Sequence, residues 1–169
     1  MCFLLETEYC NLIENDLSKL NKYFYCFERL ISMMLPELNN YLISNNIDGG
    51  YFLSPWFITL FTIAFYQEKD ENNLEVIMKL LDMILFSGWK AIFKIGISLI
   101  KSNSGIIFQL PDEKLITYLN NELIRSDFFK NKNSEEIINI FMNFKISNNL
   151  LENLFQEYEL KQNILNKNV

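Results

Sequence analysis

Carboxylates are the side chains of this sequence whose grouping first invites a chemical reading, because the usual catalytic partners are missing. Histidine is absent, which removes the commonest general base and zinc ligand, so Ser-His-Asp and Cys-His nucleophilic catalysis and most zinc chemistry are unavailable. Glu68, Asp70 and Glu71 sit together in the hydrophilic run 67–73, but they lack the alternating ligand spacing and the glycine of a calcium loop and read as a solvated connection. Asp112-Glu113 and Glu135-Glu136 are adjacent acids near expected helix starts, where capping and the helix dipole account for them without acid–base chemistry. No glycine-rich phosphate loop is present. Cys2, Cys10 and Cys26 lack the short paired spacing of metal or redox sites and read as reduced, partly buried thiols. No catalytic residue, metal ligand or cofactor is expected.

What remains is recognition. Asp82 stands between Leu80, Leu81, Met83 and Ile84, where a buried carboxylate without a partner would be costly. It is expected to pair with Lys79 or Lys90, to bond a helix end, or to meet a partner protein. Trp89 and Lys90, beside Gly88, share that ambiguity. Trp56, with Phe57, Leu60 and Phe61, has helical spacing within a nearly uncharged segment and is assigned to the core before any binding stripe. Trp56, Asp82, Trp89 and Lys90 are the candidate partner-binding residues, each of which packing also explains.

The elements that position them are helices. Half of the 169 residues are apolar, fifteen are Phe and eight Tyr, against five Gly and three Pro, a composition rich in core-filling side chains and poor in turn formers. A chain of this length buries roughly 70% of its unfolded surface. A 3.6-residue apolar rhythm recurs almost everywhere and hairpin signals are lacking, which predicts an all-α, irregular domain of about eight helices. Expected helices run over Phe3 to Ile13, Leu20 to Leu35, a segment opened by Pro36, a central one started by Ser54 and Pro55 and running through Tyr66, Leu74 to Phe86 with Gly88 as stop, Trp89 to Lys101, and others beginning at Pro111 and Ser134. Ser147 is the expected cap of the last, and Gln162 to Val169 reads as a fraying tail.

Charge narrows the partners. The net charge of −6, with thirteen Lys, two Arg and no basic run, disfavours nucleic acid and anionic lipid. The stretch from Tyr51 to Tyr66 is shorter than the ~20 residues that span a bilayer, and the start of the chain lacks the positive region of a signal peptide. Direct membrane insertion is not expected, and the cytoplasm is the expected compartment.

The order of several segments resembles the C-terminal half of the TBC domain of Rab GTPase-activating proteins. The central match is Tyr51-Phe-Leu-Ser-Pro-Trp-Phe-Ile-Thr-Leu-Phe61, similar to the family's Tyr-x-x-Ser-x-Trp-Phe-Leu-Thr-Leu-Phe. The family's following Arg-Ile-Trp-Asp and Glu-Gly segments correspond to Lys79-Leu80-Leu81-Asp82 and to Ser87-Gly88-Trp89-Lys90-Ala91-Ile92-Phe93. Upstream, Asp16 to Phe27 and Leu35-Pro36-Glu37-Leu38 look like the preceding helix pair. Lys79 stands in place of the arginine, Leu81 of the tryptophan and Ser87 of the glutamate, and the loop 67–73 is longer. The resemblance covers about residues 1–125, read as the C-terminal lobe of the domain. Residues 126–169 are expected to add helices packed on it, frayed from about 162.

The resemblance implies that a Rab-family small GTPase is the partner and that recruitment to endomembranes runs through it. It also implies that the arginine and glutamine which accelerate GTP hydrolysis come from an N-terminal lobe, in Ile-x-x-Asp-x-x-Arg and Tyr-x-Gln motifs. Neither motif has a counterpart here; Ile13, Asp16 and Lys19 share the first spacing but fall within the C-terminal match, and lysine imitates the arginine fork poorly. The expected function is a structural and Rab-recognising lobe, inactive alone, belonging to a longer protein. The alternative is a non-catalytic helical adaptor or a degenerate TBC relative.

Overall fold

Prolines, glycines and polar caps set most helix boundaries. The computed structural model describes residues 20–65 and 71–167, helical nearly throughout and without a strand among the described residues. The expected helix over Phe3 to Ile13, Cys2, Cys10, the Ile13–Lys19 spacing and the run 66–70 lie outside them. Helix α1 (Leu20–Met34) buries Leu20, Tyr23, Phe27, Leu30 and Ile31 along one face, the stripe that a 3.6-residue period produces. It stops because Leu35 precedes a proline and is driven to φ −137°; Pro36 then opens α2 (Pro36–Ser44), where its missing N–H is not needed.

The next segment departs from expectation. Helix α3 (Gly50–Ile58) begins before Ser54 and carries Pro55 inside it. Proline removes the N–H that would bond the Tyr51 carbonyl four residues back, and the side-chain amide of Asn120, distant in sequence, donates to that carbonyl at 3.3 Å. The helix ends at Ile58, where Thr59 Oγ1 donates back to the Pro55 carbonyl at 2.6 Å. Leu60 and Phe61 then take positive φ, 50° and 64°, before the single turn α4 (Thr62–Phe65). The expected continuous helix to Tyr66 is therefore broken. Left-handed backbone costs about 1–2 kcal/mol per residue, offset here by burial of Leu60 and Phe61, about 1.5–3 kcal/mol for a large apolar side chain.

Helix α5 (Glu71–Ser87) starts three residues before the expected Leu74 and turns Val76, Leu80 and Ile84 inward. After Gly88 comes α6 (Trp89–Ser102), buried on nearly every side through Ala91, Ile92, Phe93, Ile95, Ile97 and Leu99; a helix apolar all round belongs in the middle of a fold. α1, α5 and α10 (Ser134–Asn143) pack around it. Between α6 and α10 lie α7 (Ser104–Ile107), α8 (Asp112–Asn121), a 3₁₀ turn (Leu123–Arg125) and α9 (Asp127–Lys130). α10 begins at Ser134 as expected, and Asn133 caps it: its Oδ1 accepts from Glu136 N–H at 3.0 Å while Glu136 Oε2 accepts from Asn133 N–H at 2.9 Å, a reciprocal capping box.

Ser147 Oγ accepts from Leu150 N–H at 3.1 Å at the start of α11 (Asn148–Lys167). This helix stays regular through Lys167 instead of fraying from Gln162. Among the described residues eight helices have nine or more residues. The segment after residue 125 shares the core, Phe141 meeting Phe65 at 6.1 Å and Phe155 meeting Tyr23 at 5.8 Å between ring centroids.

Candidate partner-binding site

Gly88 makes the corner between the two helices that carry three of the sequence candidates, Asp82 before it and Trp89 and Lys90 after it. Its φ of 55° with ψ of −139° is open to glycine and strained for other residues. Its N–H bonds the Ile84 carbonyl at 2.7 Å and its carbonyl accepts from Ala91 N–H at 3.0 Å, closing α5 and opening α6 with no intervening loop. Trp89 and Lys90 follow directly on α6. Asp82 and Phe86 lie one helical turn apart on one face of α5.

Asp82 is exposed, which corrects the expectation of a buried acid in need of neutralisation. Its sequence neighbours are apolar, but Leu80 and Ile84, both buried, point elsewhere around the helix. Neither expected cation serves it. Lys79 Nζ lies 2.8 Å from Glu75, 4.0 Å from Glu135 and 3.0 Å from Ser134 Oγ; these bonds from Lys79 and Ser134 hold the Glu75 carboxyl below its usual range. Lys90, half-buried, donates to Asn148 Oδ1 at 2.7 Å. Phe86, not singled out in the sequence, is 92% exposed, the most of any large apolar side chain among the described residues; its signal was its place one turn from Asp82 on the same outer face.

The two tryptophans lie inside. Trp89 stacks on Tyr23 with centroids 3.5 Å apart and packs against Phe57 at 5.7 Å. Trp56 is 1% exposed and meets Phe52 at 5.2 Å, Phe61 at 5.4 Å and Phe27 at 6.3 Å. Rings of Phe27 and Phe93 connect the two, so Trp56 and Trp89 support the corner from beneath rather than lining its surface.

Elsewhere the polar groups fasten helices together. Glu157 on α11 accepts from Tyr25 Oη at 2.6 Å and pairs with Arg29 at 3.0 Å, which together hold its carboxyl below the usual range, the tyrosine bond contributing most. Cys26 is fully buried, and burial pushes its thiol up to about 12, so it is no nucleophile. Among the described residues no group of three or more His, Cys, Asp or Glu is arranged to hold a metal.

A family model described as the RabGAP TBC domain matches residues 1–139. The chain belongs to the RabGAP TBC domain family. Similar curated proteins are the GTPase-activating protein GYP5 of Eremothecium gossypii, 27% identical over 136 residues, 78% of this chain and 16% of the relative. The GTPase activating protein Gyp51 of Schizosaccharomyces pombe is 23% identical over 154 residues, 89% and 14% of the two chains. TBC1 domain family member 4 of Mus musculus is 29% identical over 109 residues, 64% and 8%. The chain therefore spans 16% or less of the length of these relatives. Membership of the RabGAP TBC domain family favours the lobe reading over the unrelated-adaptor one.

Proposed function

We propose that the chain is the C-terminal, structural and GTPase-recognising lobe of a Rab GTPase-activating protein, covering residues 1–125 with the helices of 126–169 packed on it. The observation that carries this reading is the match of the RabGAP TBC domain over residues 1–139; the relatives' names as GTPase-activating proteins support it. In the longer protein an N-terminal lobe supplies the arginine and glutamine that act on the transferring phosphoryl group. This lobe supports that half and contributes contact surface, and alone it accelerates no hydrolysis. Asp82, Phe86 and Lys90 form the contact, with Trp56 and Trp89 holding the corner in place. Recruitment to an endomembrane runs through the GTPase; among the described residues no helix is long and apolar enough to cross a membrane.

The test is binding of a Rab panel, loaded with a non-hydrolysable GTP analogue, to a version of the chain preceded by a domain half carrying both motifs. Phe86→Ala is expected to weaken binding to the cognate Rab by about tenfold, the effect of truncating an anchoring aromatic, and Asp82→Lys to weaken it as well. Unchanged affinity in both variants would remove the corner from the interface, and binding to no Rab would remove the reading itself.

A further inference from the structure

A second group of polar residues, where α8 runs into α9, is used by nothing described above. A cleft of about 370 Å³ opens there, lined by Ile106, Tyr118, Glu122, Arg125, Ser126 and Asp127. Ser126 is only 7% exposed, and its Oγ has no hydrogen-bond partner. The residue holds the N-cap position of α9 in extended geometry, yet its side chain caps nothing; Phe129 and Lys130 N–H both go to its carbonyl, at 2.9 and 3.0 Å. A buried hydroxyl left unbonded is costly unless a ligand completes it.

The surrounding charges are equally unspent. Among the described residues the ion pairs involve none of Glu122, Arg125 and Asp127. Tyr118 closes the cleft with its hydroxyl donating to Asn103 Oδ1 at 2.9 Å, and Asn103 is itself tied to the Leu99 carbonyl at 2.8 Å, so the phenol oxygen is fixed as an acceptor. Glu122 and Asp127 line the same cleft as this phenol, and burial, followed by their charges, pushes the phenol up to about 12. Acceptors and negative charge thus outnumber the single guanidinium, while the Tyr118 ring and Ile106 offer an apolar wall to a methylene stem.

We propose that this cleft receives the cationic side chain of a lysine or arginine presented by a partner protein, held by Glu122, Asp127 and the hydroxyl of Ser126. Arg125 opposes a second cation and limits the cleft to one. The inference is independent of the GTPase reading, because failure of GTPase binding at the Gly88 corner leaves the cleft's occupant untouched.

The experiment is titration of the full ¹⁵N-labelled chain at low salt with the capped tripeptides Gly-Arg-Gly and Gly-Lys-Gly, and with Gly-Glu-Gly as the anionic control. Saturable amide shifts confined to residues 118–127 are expected with the cationic peptides and not with the control. Glu122→Gln and Asp127→Asn should each weaken binding by about three- to tenfold, the range between a screened surface charge and a well-formed charge-assisted hydrogen bond. Ser126→Ala should weaken it while leaving the remaining amide spectrum in place, and Arg125→Ala should tighten it. Absence of saturable shifts, equal shifts with the anionic peptide, or unchanged affinity in the two carboxylate variants would overturn the proposal.

Discussion

Gly96→Ala sets two effects against each other at one buried position. Gly96 lies within α6, and alanine in a helix interior is favoured over glycine by about 1 kcal/mol. A Cβ there, however, would stand 2.5 Å from Phe27 Cε2, 2.8 Å from Phe27 Cζ and 3.4 Å from Phe61 Cζ, where carbon atoms rest at about 3.5–4.0 Å. The Phe27 ring would have to retreat by roughly 1 Å on that spacing, and it is boxed by Phe57, Trp56 and Phe93 at 5.8, 6.3 and 6.3 Å. Overpacking of a filled core costs about 1–3 kcal/mol; with the ring boxed in, the upper part of that range, about 2–3 kcal/mol, applies, so the clash outweighs the propensity gain and a net loss of about 1–2 kcal/mol is expected. Gly105→Ala is the control, since nothing lies within 4 Å of its Cβ and about 0.4–1 kcal/mol is gained from the restricted unfolded chain. Urea denaturation followed by far-ultraviolet circular dichroism reads both. If Gly96→Ala proved as stable as the parent, or rose in step with Gly105→Ala, the close crossing of α6 over Phe27 would be refuted.

At the corner, Gly88→Ala should cost about 1–3 kcal/mol through backbone strain alone, checked in the same denaturation assay; no loss would mean that the positive φ is not required. Trp89→Ala should cost about 3–5 kcal/mol as a core truncation, whereas Phe86→Ala should stay within about 0.5 kcal/mol of the parent, and comparable losses would contradict the division between packing and contact. Glu157 titrates below its ordinary value in the fold, so its stabilisation is complete above the usual glutamate range and is lost as pH falls through the depressed folded value. The gap in thermal midpoint between the parent and Glu157→Gln should therefore close on acidification below about pH 4, and a constant gap would refute the linkage.

Much of the fold was legible because local rules decided it. Pro36, Gly88 and Ser147 each act through their own backbone or cap chemistry, and each marks a helix end where the sequence places it. The place of Pro55 inside α3 is not legible locally, because the Tyr51 carbonyl it leaves without a helical donor is met by Asn120, a partner no local window contains. The break at Leu60 and Phe61 was equally hidden, since an apolar run has the same appearance whether continuous or folded back on itself. Asp82 has apolar neighbours in sequence, but residues one and two positions away on a helix face other directions, and its own side chain is exposed. Phe86 closes an apolar run, and its exposure depends on how α5 is packed. Ser126 gave no signal at all, because an unbonded hydroxyl is a property of packing.

Single-turnover GTP hydrolysis by a panel of Rab proteins, with this chain alone and with a version preceded by a domain half carrying the arginine and glutamine motifs, tests the central claim most directly. Acceleration by the extended version only, on the order of 10³–10⁵ as an arginine finger supplies, is the predicted result. Acceleration by this chain alone would contradict the division of labour, and acceleration by neither folded protein would contradict its role as a GTPase-activating lobe.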